Sequence, residues 1–388
     1  MKKLVFIICS TFNKRDYHRF GVEILKNRGY EVEIWDITPL LYAHYYRNHI
    51  PSDSIEFDKH FLVYEKDHIE KLTSGLSRKD FVVCVLSVEK RTEFIFEHLS
   101  EKDIKYGFLL LGQLPRRRNS FINKIFLVCD NPRYAVRIIW SKFFKKKASV
   151  DPAHFLIIGG KEAITDGRYP VDKNTKIINA HALDYDRYLE IERGNSFGKK
   201  CERYAVFLDE CVPFHPDRLR SNRKIYCTSE KYYPPLVRFF SYLEDEMSLK
   251  VIIAAHPRSN YSKRSNSFGN REIIFGKTFQ LVKHSMFVLT HASTSINFAV
   301  LYQKPIIFLS DSAYSNYLRE SIKFFASVFE KKPIDLSKHF PSSLKLKEEL
   351  EINKTLYEEY KSKFIKEPGT PEKPVWDIFA DYCDSLLL

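Results

Sequence analysis

Apolar runs of strand length alternate with helical patterns along most of this chain, and they do so in two successive sets. The first set is KLVFIIC (3–9), a helical pattern near 14–28, YEVEIWDI (30–37), DFVVCVLS (80–87), a helical pattern near 89–100, YGFLLLG (106–112) and HFLIIGG (154–160). The second is YAVFLDE (204–210), a helical pattern near 230–246, KVIIAAH (250–256), REIIFG (271–276), MFVLTHA (286–292), a helical pattern near 294–303 and KPIIFLS (304–310). Such alternation is the signature of βα units stacked on a parallel sheet. Two sets predict two doubly wound α/β domains.

Length agrees, since 388 residues are many for one core and the 44% hydrophobic content can fill two. The polar stretch IERGNSFGKKCER (191–203), with its two glycines, is placed as the hinge. The expected boundaries are therefore 1–190 for the first domain, 191–203 for the hinge and 204–365 for the second domain. No apolar run approaches the roughly 18–20 residues that span a bilayer, and the opening MKKLVFIICSTFNKRDY reads as a first strand rather than a leader. A cytoplasmic location is expected.

The seven cysteines (9, 84, 129, 201, 211, 227 and 383) are odd in number, lie mostly in apolar segments and form no C-x-x-C pair. They read as core thiols rather than a disulfide framework or a zinc site. The formal charge of +13, with the runs PRRRNS (115–120) and KFFKKKAS (142–149), favours anionic partners. Phosphorylated substrates, an anionic membrane surface and nucleic acid all qualify, as does a plain solvated surface. Aromatic interleaving is sparse and no nucleic-acid motif accompanies the runs, so nucleic acid is not expected.

Open α/β sheets bind ligands beyond the C-terminal ends of their strands, and three segments of the second half carry polar residues at such ends. VFLDECVPFHPD (206–217) offers Asp209, Glu210 and His215. VIIAAHPRSN (251–260) delivers His256 and Arg258, with Pro257 ending the strand because it lacks an amide hydrogen and restricts the residue before it. VLTHASTSINFAVLYQKPIIFL (288–309) gives Thr290 and His291, then Ser293, Thr294 and Ser295 ahead of a helical run. Hydroxyls at a helix start satisfy free amides, and that end attracts phosphate. Each feature also has a plain structural reading: an N-cap, a satisfied histidine, an acid capping a turn, an arginine exposed on a loop.

Together these segments resemble GT-B glycosyltransferases, two Rossmann-like domains facing a central cleft, and especially bacterial sialyltransferases and nonulosonic acid (sialic, legionaminic, pseudaminic and Kdo-type) transferases of surface polysaccharide synthesis. That family has a D/E-D/E-G motif, an HP motif and a paired Ser/Thr motif. Asp209-Glu210, His256-Pro257 and Ser293-Thr294-Ser295 match them, except that Cys211 stands where the pattern has glycine. INAHALDYDRYLE (178–190) and YKSKFIKEPGTPEKPVWDIFADY (360–382) also look like proteins that add nonulosonic acids to capsule or lipooligosaccharide. The Ser/Thr stretch resembles the CDP-glycerol glycerophosphotransferases too.

The resemblance implies a metal-independent, inverting transferase that moves a nonulosonic acid from a CMP-activated donor to a glycan or lipid-linked glycan, with no cofactor. It implies contact of His256, Pro257, Arg258, Ser293, Thr294 and Ser295 with the nucleotide donor, and a base at Asp209 or Glu210. Of these two, adjacent on an extended strand and so facing opposite ways, Asp209 is preferred. It further implies that 366–388 crosses back to pack Trp376 and Phe379 on the first domain, and it allows peripheral contact with the inner face of the membrane. The alternatives are a CDP-glycerol or UDP-sugar transferase and a non-catalytic basic binding protein.

Overall fold

The computed structural model describes residues 2–48, 53–115, 150–163, 169–193, 203–221, 223–261 and 267–386. The basic runs at 115–120 and 142–149 fall almost wholly outside these residues, as do Cys129, Cys201 and most of the 191–203 hinge segment. The described residues divide into two compact units. One holds the chain to Gly112, residues 150–189 and the stretch from Lys366 onward; the other holds Glu190–Ile365 apart from the undescribed positions.

The first unit contains β1 (Lys2–Ile8), β2 (Tyr30–Asp36), β3 (His60–Leu62), β4 (Phe81–Val85), β5 (Lys105–Leu110), β6 (Phe155–Gly159) and β7 (Lys176–Ala180). They form a sheet in the order β3-β2-β1-β4-β5-β6-β7, with every pairing parallel. The pleat explains why KLVFIIC is apolar throughout. Leu4, Phe6 and Ile8 face one buried cluster while Val5 and Ile7 face another, so neither side of the central strand meets water.

The helical pattern near 14–28 is two helices, Lys14–Arg19 and Val22–Asn27, broken at Gly21 with φ +55°. The cause lies some 350 residues downstream. Any Cβ at position 21 would collide with the Trp376 indole, so only glycine admits that ring. Trp376 Nε1 donates to the Arg19 carbonyl at 2.6 Å, and its ring meets Phe6 edge-on at 4.9 Å. The segment carrying it is clasped at both ends. His181 pairs with Lys366 in an antiparallel bridge and donates from Nε2 to the Lys373 carbonyl at 2.9 Å. Arg28 grips Asp381 at 2.8 Å and Asp384 at 2.9 Å on the helix Val375–Ser385.

The second unit contains β8 (Tyr204–Leu208), β9 (Lys250–Ala254), β10 (Ser267–Asn270), β11 (Ile273–Ile274), β12 (Val288–Thr290), β13 (Ile306–Ser310) and β14 (Ile334–Asp335). Six of them form a parallel sheet in the order β11-β9-β8-β12-β13-β14. The direction of winding reverses between β8 and β12, the topological switch point where open α/β sheets take their ligands. Among the described residues no helix is long and apolar enough to cross a membrane.

Candidate functional site

Both β8 and β9 stop short of their polar residues. β8 ends at Leu208 and β9 at Ala254, so Asp209, Glu210 and His256 stand in the loops beyond and the alternation of a strand does not decide which acid faces out. Hydrogen bonding decides it instead. Asp209 is 4% exposed, and its carboxylate accepts from the Cys211 amide (2.8 Å), the His256 amide (3.2 Å) and the Tyr261 hydroxyl (2.7 Å). It ties the end of β8 to the loop after β9, and its lone pairs are engaged in doing so.

Cys211 adopts φ +49°, ψ +43°, the left-handed conformation that glycine occupies without strain. The backbone therefore keeps the geometry a glycine there would have, although a buried thiol fills the position. Cys211→Gly should be close to neutral, because relief of about 1 kcal/mol of backbone strain offsets the lost side chain. Cys211→Val, β-branched at positive φ, should lower stability by about 1–3 kcal/mol. Urea midpoints of the two variants check this, and an equal loss in both would remove the backbone argument.

Glu210 sits at the switch point. The register Leu289↔Phe207 between β12 and β8, continued outward, brings Ala292 opposite it, and Oε1 accepts the Ala292 amide at 2.6 Å. On the other side the β9 register ends at Leu208↔Ala254, and His256 follows in the loop, where its amide bonds Asp209. The loop after β9 and the Ser/Thr loop after β12 thus leave the sheet on the two sides of the strand that leads to this carboxylate. Burial pushes the Glu210 carboxyl up to about 7; the Ala292 and His291 amides oppose the shift and the Asp209 charge adds to it.

His256 Nδ1 accepts the Arg258 amide at 3.2 Å, which leaves Nε2 to carry the proton of the neutral ring as a donor. Its ring lies 5.9 Å from that of His215. Arg258 is held rather than loose: Nη2 bonds Asp217 Oδ1 at 3.1 Å, and Arg220 approaches the same oxygen at 3.4 Å. Burial works against ionisation of Asp217, yet the Arg258 and Arg220 guanidinium groups keep its carboxyl below the usual value. Burial lowers His215, with the nearby arginines assisting. Pro257 is exposed at the tip of this loop.

The Ser/Thr cluster behaves differently from a side-chain cap. Ser295 is the N-cap of the helix Ile296–Leu301, but its hydroxyl makes no capping bond. The first amides of that helix turn inward, from Ile296 to the Ser293 carbonyl, Asn297 to Thr294 and Phe298 to Ser295, a tight i to i+3 pattern that satisfies them locally. Any anion here meets hydroxyls of Ser293, Thr294 and Ser295 rather than a row of open helix amides. His291 is a core histidine. It is fully buried, bonds the Leu309 carbonyl through Nδ1 (2.7 Å) and Tyr232 through Nε2 (3.1 Å), and burial pushes it down to about 4.

At one edge of one sheet, then, neighbouring loops carry a carboxyl poised near neutrality, an imidazole donor, a hydroxyl cluster and arginines braced by Asp217. That set can take a proton from a hydroxyl and hold an anion close by. The sequence reading missed Tyr261, Asp217 and Arg220, because support residues follow no strand-end pattern. It also passed over Asp311, although Asp311 follows β13 as Asp209 follows β8. Among the described residues no group of three or more His, Cys, Asp or Glu side chains is placed to hold a metal ion. A cavity of about 700 Å³ opens in the other unit, among Lys105, His154, Lys176 and Tyr382, and has no part in this constellation.

No family model matches this chain, and no curated protein matches it. Solved structures do. UGT89C1 of Arabidopsis thaliana complexed with UDP aligns over 100% of both chains at 10% identity with a TM-score of 0.50. UDP-GlcNAc 2-epimerase from Methanocaldococcus jannaschii aligns over 98% of this chain and 99% of its own, at 14% identity and a TM-score of 0.49. The S. aureus MnaA-UDP co-structure covers 100% and 98%, at 12% and 0.49. With its two parallel, doubly wound sheets and an end-to-end match of this kind, the chain has the GT-B fold, built from two Rossmann-like domains.

Proposed function

We propose that this protein is a glycosyltransferase that takes a nucleotide-sugar donor and inverts the anomeric centre, with Glu210 as the base. The observation that carries the reading is the position of Glu210: at the switch point of the second sheet, hydrogen-bonded to the Ala292 amide at the start of the Ser/Thr loop, and with its carboxyl lifted to about 7. A base is most useful when its pKa lies near the working pH. Asp209, preferred from the sequence, becomes the support that fixes the His256 loop, because its lone pairs are already engaged.

In this scheme an acceptor hydroxyl attacks the anomeric carbon as Glu210 removes its proton. The bond to the donor phosphate breaks on the opposite side. His256 Nε2–H and the Ser293–Ser295 hydroxyls receive the charge that builds on the departing oxygen, already oriented before the reaction begins. Arg258, braced by Asp217, supplies fixed positive charge to a phosphate or carboxylate of the donor.

The donor we favour is a CMP-activated nonulosonic acid, on the acidic-pair, HP and Ser/Thr resemblance, with a surface glycan as acceptor. A UDP-sugar is the second reading, favoured by the UDP in the Arabidopsis structure of the same fold. A thermal-shift panel of CMP, CDP, UDP and GDP decides between them, since a ligand that binds only the native state raises the melting temperature. One nucleotide should stand out. His256→Ala should keep the fold while kcat/KM for transfer from the matching donor falls about 10²–10³-fold, the effect of removing one donor to a developing anion. A panel without any shift, or full turnover in the variant, would overturn the assignment.

A further inference from the structure

A His-Pro-X tripeptide occurs twice in the second unit, as His215-Pro216-Asp217 beyond β8 and as His256-Pro257-Arg258 beyond β9, two strands that pair directly. The two copies fold alike. His215 Nδ1 accepts the Asp217 amide at 3.3 Å and His256 Nδ1 accepts the Arg258 amide at 3.2 Å, each two residues on. The third residues then join the copies: Arg258 Nη2 donates to Asp217 Oδ1 at 3.1 Å, and the two imidazole rings lie 5.9 Å apart. A neutral ring whose Nδ1 accepts holds its proton on Nε2, so the pair presents two matched N–H donors.

Their surroundings select the partner. Both histidines are half-buried, so neither is sealed in the core. Tyr226 meets the His215 ring edge-on at 6.3 Å and carries the Arg218 guanidinium 4.1 Å from its own ring centre. Burial raises the Tyr226 hydroxyl; Arg218 opposes the shift and the Glu210 charge adds to it, which places this ring within electrostatic reach of the proposed base. The Arg258, Arg218 and Arg220 charges all bear on His215, against the single carboxylate of Asp217. Arg258 Nε is moreover buried with no partner among the described residues. The place is short of acceptors, not of donors. A cation would meet the guanidinium groups, whereas an oxyanion has lone pairs for both imidazoles and forms the stronger, charge-assisted bonds.

We infer that His215 and His256 together seat one oxyanion of the bound donor, each donating from Nε2, so that His215 binds substrate as well as capping the helix Pro216–Arg220. The inference rests on the reading of this unit as the donor site. Two groups offer the same chemistry, the phosphate next to the nucleoside and a carboxylate on the transferred sugar. His215→Asn separates the cap from the contact, because its side-chain oxygen takes over the Asp217 amide while nothing replaces the Nε2–H. In His215→Gln the longer side chain carries an NH2 out to where Nε2 stood.

The test is calorimetric titration of the full chain, wild type, His215→Asn, His215→Gln and His256→Asn, with cytidine, CMP, CMP-sialic acid, uridine and UDP as probes. If the phosphate is seated, wild type should prefer nucleotide to nucleoside, and that ratio should fall about 10-fold or more in both Asn variants, the effect of losing one bond to a charged group. If the carboxylate is seated, that ratio stays and the preference for CMP-sialic acid over CMP falls instead, again in both. His215→Gln should recover part of whichever ratio fell. Should His215→Asn keep both ratios, or the two Asn variants lose different ones, His215 is a helix cap and the inference falls alone. Should no probe bind wild type, the donor reading falls with it. Imidazole nitrogen resonances of wild type carry the test even if a variant folds poorly: both histidines should respond to the same ligand, and a response from His256 alone would overturn the pairing.

Discussion

If Glu210 is the proposed base, Glu210→Gln should lower turnover by about 10²-fold or more while donor binding stays close to that of wild type, since an amide keeps the Ala292 contact but cannot take a proton. Asp209→Asn should act otherwise, loosening the His256 loop and lowering the melting temperature. The pH dependence separates a base from a structural acid. In the proposed role of base Glu210 acts deprotonated, so kcat should rise with pH and level off above about 7. Stability moves the other way. A carboxyl raised in the folded state binds more protons there than in the unfolded chain, so its contribution is complete below the ordinary value of 4.5 and is lost as pH climbs through about 7. Glu210→Gln should remove that decline and melt higher than wild type at pH 8. A variant that loses turnover and stability together at pH 8 would mark Glu210 as a structural residue.

Trp376→Ala should cost about 3–5 kcal/mol, the range for deleting a large, fully buried aromatic. The indole fills the break at Gly21, touches Phe6 and donates to Arg19, so its loss opens the underside of the first sheet. Gly21→Val reaches the same contact from the other side and should be of comparable severity, since it adds left-handed strain to the collision. Chemical denaturation with a probe in each unit checks the locality of the effect. Equal losses in the early and late transitions would argue against a role confined to the first unit.

Strands buried on both faces were easy to read, because β1, β8 and β13 spell their burial in continuous apolar residues. Short edge strands were not. β3 has only three residues, and β7 shows the alternating burial of an edge strand with Lys176, Ile177 and Asn179 exposed. The break at Gly21 was hidden as well, since nothing near position 21 announces a tryptophan from position 376. At the candidate site, the rule about strand ends anticipates that Asp209, Glu210, His256 and Ser293–Ser295 lie at the C-terminal ends of β8, β9 and β12. The hydrogen bonds that distinguish the two acids could not be read there. Whether Asp209 or Glu210 retains spare lone pairs depends on Tyr261 and Ala292, partners set by folding rather than by neighbouring letters.

The returning segment also sets the order in which the molecule can be finished during synthesis. A ribosome releases Glu190–Ile365 before residues 366–385, so the second unit has its own sequence available while the first still lacks the helix that seals it. The first-made half is thus completed last. In the interval, Phe6, Phe20 and Phe155 wait on an open sheet face for a partner that has not yet emerged. Nascent chains halted shortly before residue 366 should accordingly be bound by chaperones and cut by proteases in their N-terminal half, with the region around β8 and β9 already protected.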